Sequence, residues 1–201
     1  MILDLNKLIE KYDIDLKGII HIGAHHGKEY EVYRDLVSDD NLMFFEPIPE
    51  CFEVLKQNVG GTVVNKALGN YNGIAVLNLA SNGQSSSLLE PALHKKQYPK
   101  ITFKETIDVE IARLDDILED KEKYNLISID VQGYELEVFK GAVKTLEGID
   151  YIISEVNRKE LYEDCVQVDE LDKFLWEFDF VRGETKWAGK SWGDAFYIKI
   201  W

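Results

Sequence analysis

Short apolar runs rich in β-branched and aromatic residues alternate with helical patterns, and this alternation constrains the fold more than any other feature of the chain. The runs are typical of strands buried on both faces, and they span residues 18–22, 42–45, 62–64, 126–129, 151–154 and 195–200. Helical patterns lie between them, at residues 28–36, 49–59, 135–146 and 169–178. The alternation predicts an α/β fold with right-handed βαβ crossovers, in which helices cover both faces of a mostly parallel, doubly wound sheet.

Further segments complete the predicted organisation. We expect an N-terminal helix over residues 4–13, and two additional strands at 73–79 and 106–111 on either side of the polar loop 81–87 (SNGQSSS). These strands predict a β-rich insertion at about 73–111 that caps a site at the carboxyl ends of the main strands. No repeat or linker divides the 201 residues, and we therefore expect a single, complete domain.

Composition excludes several classes of partner and location. The chain has 37 acidic and 23 basic residues, a net charge of −14, which argues against nucleic acid because phosphate-binding surfaces are rich in Lys and Arg. Cys51 and Cys165 are far apart and form no metal-binding motif, and the N-terminus lacks the apolar run of a signal peptide. The longest uncharged stretch, 67–89, contains many Asn and Ser residues and cannot span a membrane. We expect a cytoplasmic protein, and the sequence carries no prediction of its oligomeric state.

The first predicted strand runs directly into a glycine turn that contains Gly23, Ala24 and Gly27. Glycine lets the backbone approach a ligand closely, but the spacing differs from GxGxxG and does not favour NAD. A tight turn without a ligand is the alternative. Glu46 ends the second predicted strand, 19 positions after Gly27, where an acidic residue commonly binds a ribose diol. Together the two features predict adenosine binding, although a solvated strand-end carboxylate is the alternative for Glu46.

Oxygen-bearing side chains follow the next two predicted strands. Asp130 ends one of them, and Glu155 and Asn157 end the next, so all three are expected to converge at one edge of a parallel sheet. Such a set suits Mg²⁺ or Mn²⁺, or a general base with its orienting groups. The alternatives are that Asp130 caps the following helix and that Glu155 and Asn157 form a structural hydrogen-bond pair.

Several segments together resemble the FkbM family of S-adenosylmethionine-dependent methyltransferases. They are HIGAHHG, FFEP, ARLDDIL, IDVQGYELEVFKGA and SEV, with a weaker echo at WGDAFYIKI. The similarity runs from about residue 18 to residue 157, which is about two thirds of the chain. The resemblance implies a class I methyltransferase fold, a Rossmann-like seven-stranded sheet whose last strand is antiparallel, and O-methylation of hydroxylated molecules such as sugars. Carried over by position, it implies that the cofactor is bound by residues of the turn and the strand ends, namely Ile22, Gly23, Ala24, Gly27, Glu46, Pro47, Ala67, Leu68 and Asp130.

Two histidines depart from the family pattern. His21 stands where the family has an acidic residue, and His25 stands where it often has Asn. His21 is either a neutral hydrogen-bonding substitute or a strand residue with satisfied bonds. His25 and the adjacent His26 are candidates for acceptor contacts or, alternatively, surface groups.

The acceptor is expected to meet the insertion and the C-terminal hairpin. The candidates are Ser87 and its neighbours Ser85 and Ser86, Trp187 and Trp192 as stacking surfaces, Asp194, and the basic residues Lys95, Lys96, Lys100 and Lys104. Packing or solvation is the alternative for each of them.

The predicted function is methyl transfer from S-adenosylmethionine to a hydroxyl of a sugar or glycan, with Asp130 as the base or a metal ligand and Glu155 and Asn157 as its partners. One alternative is an NAD-linked oxidoreductase, which the glycine spacing disfavours. The other is a binding domain that retains the fold without activity, for which the altered His21 and His25 are the support.

Overall fold

The computed structural model describes residues 2–200, and its largest element is a seven-stranded β-sheet. The strands are β1 (Ile19–Ile22), β2 (Leu42–Phe45), β3 (Thr62–Val64), β7 (Leu126–Ile129), β8 (Tyr151–Asn157), β9 (Phe180–Ala188) and β10 (Trp192–Lys199). They lie in the order β3-β2-β1-β7-β8-β10-β9, and β10 runs antiparallel to both of its neighbours while the other pairs are parallel. This arrangement confirms the predicted class I methyltransferase sheet, including the antiparallel last strand.

A smaller sheet lies beside it, formed by β4 (Ala67–Leu68), β5 (Gly73–Ala80) and β6 (Phe103–Ala112) in the order β4-β6-β5. The segment predicted as an insertion therefore contains β5, most of β6 and the short helix α4 (His94–Gln97). Backbone bonds join it to the rest of the chain, since the N–H groups of Ala92 and His94 donate to the carbonyl of Leu161 at 2.9 and 3.0 Å. The insertion is thus held over the region that follows β8.

The remaining helices connect the strands. They are α1 (Leu5–Tyr12), α2 (Tyr30–Tyr33), α3 (Pro49–Asn58), α5 (Leu114–Ile117), α6 (Glu135–Lys140), α7 (Val143–Leu146) and α8 (Val168–Trp176). Asp4 caps α1, its carboxylate accepting from the Lys7 N–H at 3.4 Å. Within residues 2–200, no helix is long and apolar enough to cross a membrane.

Two helices differ from the sequence prediction. The helix expected over residues 28–36 is only the four-residue α2, after which the N–H groups of Leu36 and Val37 both turn back to the carbonyl of Tyr33. The helix expected over 135–146 is divided into α6 and α7 at Gly141, where the chain meets the loop that follows β4. A Cβ atom at Gly141 would overlap the carbonyl oxygen of Gly69, so only glycine fits this crossing.

Both faces of the main sheet are buried, as a parallel sheet requires. Along β1, Ile20 and Ile22 belong to one hydrophobic cluster, which includes Leu171 of α8. Ile19 belongs to the cluster on the opposite face, together with Leu8 of α1. The period-2 alternation of the strands therefore supports two helical layers and leaves the carboxyl ends of the strands free to carry polar groups.

Candidate active site

Polar side chains meet at the carboxyl edge of the main sheet because the parallel strands end in register. The pairs Ile22–Phe45, Ile22–Ile129 and Ile129–Ser154 align the ends of β1, β2 and β7 with Ser154 inside β8. The residues that follow these four positions therefore lie along the same edge, and they are Gly23, Glu46, Asp130 and Glu155.

The glycine turn is anchored to both neighbouring strands. The N–H groups of Gly23 and Ala24 donate to the carbonyl of Phe45, each at 3.0 Å. Gly23 has a φ of +80°, and a Cβ atom there would overlap the carbonyl oxygen of Asp130. Only glycine fits at this position, because the backbone of the turn lies so close to the backbone of Asp130. Gly27, at φ +74°, packs against the side chains of Leu55 and Val59 on α3 and is not among the residues that line either cavity described below.

Glu46 is a buried carboxylate, 4% exposed, at the end of β2. It accepts the backbone N–H of His25 and that of Ile48, both at 2.8 Å. Burial raises the pKa of Glu46 to about 7, against the lowering effect of these two hydrogen bonds. A hydroxyl-bearing ligand would supply further hydrogen bonds to this carboxylate, which is the chemistry a ribose diol offers.

A cleft of about 60 Å³ opens beside Glu46. Its walls include a glycine, a proline and small apolar groups suited to a flat base, and seven of the predicted cofactor residues line it: Ile22, Gly23, Glu46, Pro47, Ala67, Leu68 and Asp130. His25 and Ser87 also line this cleft, as do Leu77 of β5 and Tyr134. The second sheet therefore forms one wall of the cleft.

A larger cavity of about 310 Å³ adjoins the cleft and shares Gly23, His25, Gln84, Asp130 and Gln132 with it. Ala24, His26, Lys28 and Glu29 of the turn line the larger cavity, together with Glu155 and Asp194. Groups from the insertion and the hairpin complete it, namely Asn82, Ser85, His94, Tyr98 and Trp192. Asp130 thus lies at the boundary between the two spaces.

Asp130 and Glu155 are joined by the side chain of Gln132. The amide nitrogen Nε2 of Gln132 donates to Oδ1 of Asp130 at 2.6 Å and to Oε2 of Glu155 at 3.2 Å. The hydroxyl of Tyr162 lies 2.8 Å from Oε1 of Gln132 and 2.8 Å from the carbonyl oxygen of Ser85. The Ser87 hydroxyl donates to the carbonyl of Gln132 at 2.8 Å. These bonds fix the amide so that its N–H groups face both carboxylates.

Both carboxylates have raised pKa values. Burial raises the pKa of Asp130 to about 6, and the negative charges of Asp194 and Glu29 add to this while the Gln132 hydrogen bond opposes it. The pKa of Glu155 is raised by burial first and then by the charges of Asp130, Glu135 and Asp194. A carboxylate with such a pKa is a stronger base than an ordinary one at neutral pH.

Asn157 does not join this group. It is fully buried at the end of β8, and it is not among the residues that line either cavity. Neither its amide nitrogen nor its amide oxygen has a hydrogen-bond partner among the described residues.

The histidines lie in different environments. His21 is buried beside the rings of Tyr33 and Phe44, and burial lowers its pKa to about 4, so it is neutral at pH 7. It lines the larger cavity, as His25 and His26 do. The two turn histidines stack, with ring centroids 3.8 Å apart.

The two predicted tryptophans also differ. Trp192 lines the larger cavity, and its indole N–H donates to the Tyr98 hydroxyl at 2.9 Å. Trp187 lies under the guanidinium of Arg158, 4.1 Å from the ring centroid, and is not a lining residue of either cavity. The basic residues Lys95, Lys96, Lys100 and Lys104 are exposed and also do not line either cavity.

Asp194 is a buried residue in the wall of the larger cavity, and its carboxylate also binds the N-terminal segment. Its Oδ2 accepts the backbone N–H groups of Ile2 and Leu3, the latter at 3.0 Å. Ile2 in turn lines the cavity. Residues far apart in the chain therefore close this side of the site.

Sequence reasoning missed Gln132, Tyr162, Tyr98, His94 and Glu135. Gln132 lies within the IDVQGYELEVFKGA segment, and its place in that motif is the signal that could have identified it. Glu135, fully buried, accepts the N–H groups of Val131 and Gly133, both at 3.1 Å, and so fixes the turn after Asp130. Nothing in the sequence distinguishes Tyr162, Tyr98 or His94 from packing residues.

Comparisons with known proteins agree with this geometry. Residues 21–182 match the model of the methyltransferase FkbM domain. The chain is 30% identical over 188 residues to the 2-O-methyltransferase NoeI of Sinorhizobium fredii, covering 87% of this chain and 76% of that protein. It is 26% identical over 198 residues to the hexuronic acid methyltransferase AglP of Haloferax volcanii, covering 86% and 79% respectively.

Solved structures show the same fold at low sequence identity. The magnesium protoporphyrin IX methyltransferase ChlM of Synechocystis PCC 6803, with S-adenosylmethionine bound, matches with a TM-score of 0.55 and 9% identity, over 98% of this chain and 76% of that one. Sp1610 of Streptococcus pneumoniae, in complex with S-adenosyl-L-methionine, matches with a TM-score of 0.55 and 13% identity, over 99% and 73%. At these identities the likeness is one of fold.

Proposed function

Because the chain belongs to the methyltransferase FkbM family and is an S-adenosylmethionine-dependent O-methyltransferase, we propose that the hydroxyl it methylates belongs to a sugar or glycan. Two relatives support this substrate class: NoeI is named a 2-O-methyltransferase, and AglP is named a hexuronic acid methyltransferase. The family also excludes the NAD-linked alternative.

The larger cavity supports a hydroxyl-rich acceptor. Its walls carry amides, carboxylates and a serine, which bond hydroxyl groups, and the aromatic rings of Tyr98 and Trp192, which pack on the apolar face of a sugar ring. With a volume of about 310 Å³, the cavity has room for a small saccharide unit. His25, His26, Ser85 and Asp194 are the further groups that we propose contact it.

The smaller cleft carries the groups that we propose contact the adenosine part of the cofactor. When bound, S-adenosyl-L-methionine supplies a methyl group on a sulfonium, which is transferred by in-line displacement. Glu46 offers a buried carboxylate for the ribose hydroxyls, and Ala67 and Leu68 offer an apolar wall for the adenine. Gly23 leaves space where any side chain would overlap the backbone of Asp130. These residues bind and orient, and we propose no chemical role for them.

The proposal for the base rests on one observation, namely that Asp130 lines both the cleft and the larger cavity. A base at this boundary can accept the proton of an acceptor hydroxyl while the oxygen attacks the methyl carbon. Gln132 holds the Asp130 carboxylate in place at 2.6 Å, while burial and then the charges of Asp194 and Glu29 keep the pKa of Asp130 high. Asp130 then releases the proton to solvent.

The residues do not fit a Mg²⁺ or Mn²⁺ site between Asp130 and Glu155. The group between the two carboxylates is an amide N–H₂, which donates and cannot ligate a cation. Asn157, the third predicted ligand, does not line the cavity. We therefore propose acid–base chemistry without a divalent cation at these residues.

The first experiment is calorimetric titration with S-adenosylhomocysteine, using NAD as comparator and Glu46→Ala as control. We expect micromolar binding that is lost in Glu46→Ala, and no binding of NAD. Methyl transfer from labelled cofactor is then measured on a panel of saccharides that includes uronic acids, with Mg²⁺, with Mn²⁺ and with EDTA.

Transfer to a saccharide that needs no added Mg²⁺ or Mn²⁺ and is reduced at least a hundredfold in Asp130→Asn would support the proposal. Binding of S-adenosylhomocysteine without transfer to any saccharide would overturn the substrate class. No binding at all would favour the inactive binding domain instead. Full activity in Asp130→Asn, or activity that requires Mg²⁺, would contradict the assignment of the base.

A further inference from the structure

Three side chains with metal-binding chemistry meet beside the cofactor cleft, and none of them belongs to the group of Asp130, Gln132 and Glu155 that we propose for proton transfer. They are His25 and His26 of the glycine turn and Cys51 of α3. One ring nitrogen of each histidine and the Cys51 sulfur lie within 4.8 Å of one another. Within residues 2–200, this is the one set of three His, Cys, Asp or Glu side chains found to meet that criterion.

The turn and α3 are already held together around this cluster. The side-chain amide of Asn58 on α3 donates to the carbonyl of His26 at 2.9 Å. Gly27 packs against α3, and the N–H of His25 donates to Glu46 at 2.8 Å. The backbone that carries the three side chains is therefore preorganised.

Because Gly83 of the insertion has no side chain, there is space beside it next to both His25 and Cys51. A Cβ atom at Gly83 would lie 2.8 Å from Nε2 of His25 and 3.8 Å from Sγ of Cys51. The ring nitrogen and the sulfur thus face the same point under the insertion loop. The other ring nitrogen of His25, Nδ1, is buried and has no hydrogen-bond partner among the described residues.

Coordination through the Cys51 sulfur requires loss of the thiol proton, which passes to solvent when the metal binds.

We propose that His25, His26 and Cys51 form a binding site for Zn²⁺, or for a divalent transition ion of similar chemistry, that ties the glycine turn to α3. Two imidazoles and a thiolate are ligands that zinc prefers, and three protein ligands leave the fourth tetrahedral position open. Zinc–nitrogen and zinc–sulfur bonds of about 2.0 and 2.3 Å imply ligand separations of roughly 3.5 Å, so the side chains need to close by no more than about an ångström on binding.

The test is a titration of metal-free protein with Co²⁺, followed by displacement with Zn²⁺. Cobalt bound by a thiolate gives a sulfur-to-metal charge-transfer band, and tetrahedral cobalt gives visible bands. We expect one equivalent to bind to wild type and to Cys165→Ser, which removes the other buried thiol of the chain. Cys51→Ser should lose the charge-transfer band, and His26→Ala should weaken binding at least tenfold.

Thermal unfolding gives a second readout. Zn²⁺ at a hundredfold excess over its Kd should raise the Tm of wild type by roughly 5–10 °C and leave Cys51→Ser unchanged. Absence of the charge-transfer band in wild type, or its persistence in Cys51→Ser, would overturn the proposal. If Cys51→Ser does not fold by circular dichroism, unchanged Co²⁺ affinity in His26→Ala would overturn it. These titrations use no cofactor or acceptor, so their failure is distinguishable from failure of the proposed methyl transfer.

Discussion

Gln132 is a neutral side chain that affects the pKa of both carboxylates at this site. Its amide nitrogen donates hydrogen bonds to Asp130 and Glu155, and its amide oxygen lies 2.8 Å from the Tyr162 hydroxyl. Two buried carboxylates side by side repel each other, and a shared donor lowers the pKa of both. Because the two acids interact, their titration belongs to the pair rather than to either residue. Burial raises both pKa values, and Gln132, a residue without a charge, opposes that rise.

Replacing Gln132 by Met should move the acidic limb of the pH–rate profile upward by about one unit. The base must be deprotonated to accept a proton, so activity rises as pH increases through its pKa, and loss of the lowering hydrogen bond raises that pKa. The measurement is kcat/KM for methyl transfer between pH 5 and 8. In Asp130→Asn the limb should disappear, and a limb that stays in place in Gln132→Met would contradict this role.

At the level of elements, the break between α6 and α7 links the main sheet to the cofactor cleft. The chain passes the loop after β4 so closely at Gly141 that a Cβ atom would overlap the Gly69 carbonyl oxygen. Strand β4 carries Ala67 and Leu68, which line the cleft. The interruption of the helix therefore positions the apolar wall where we propose the adenine binds.

Gly141→Ala should destabilise the protein by about 1–3 kcal/mol, because the overlap involves backbone that cannot rotate away. The same displacement should weaken binding of S-adenosylhomocysteine. Chemical denaturation and calorimetry measure the two effects. Gly148→Ala is the matched control, since its nearest atom, the Thr145 carbonyl oxygen, would be an ordinary 3.8 Å away; its stability should change by less than about 0.5 kcal/mol. Equal effects in both variants would contradict the interpretation.

In the whole molecule, the larger cavity is assembled from segments far apart in the sequence. The N-terminal segment reaches Asp194 of β10, and the insertion reaches the C-terminal hairpin through the hydrogen bond between Tyr98 and Trp192. The cofactor cleft, in contrast, is formed mainly by the strand ends and the second sheet. Acceptor binding and cofactor binding should therefore respond to different substitutions.

Trp192→Phe should raise the KM for the acceptor roughly three- to tenfold and leave the KM for S-adenosylmethionine unchanged. It removes one hydrogen bond, worth about 0.5–1.5 kcal/mol, and part of the proposed stacking surface. Steady-state kinetics with each substrate varied in turn measures this. Trp187→Phe, at a tryptophan outside the lining of either cavity, is the control and should leave both constants unchanged. A rise in both KM values in Trp192→Phe would show that the residue does not act on the acceptor alone.

The sequence by itself determined the fold class and the members of the sheet edge. Short continuous apolar runs and their alternation with helices predict parallel strands, and residues that follow those strands, such as Glu46 and Asp130, lie along the same edge of the sheet. Only the tertiary structure decided which side chains face the cavities. Asn157 and Glu155 differ by two positions on one strand, yet one is enclosed and the other lines the cavity. Trp192 lines the larger cavity, whereas Trp187 is partly buried under Arg158 outside it. The pairing of His25 and His26 with Cys51 depends on how α3 packs on the turn. Local periodicity encodes strands and helices, whereas exposure to a shared cavity depends on contacts between segments that are distant in the chain.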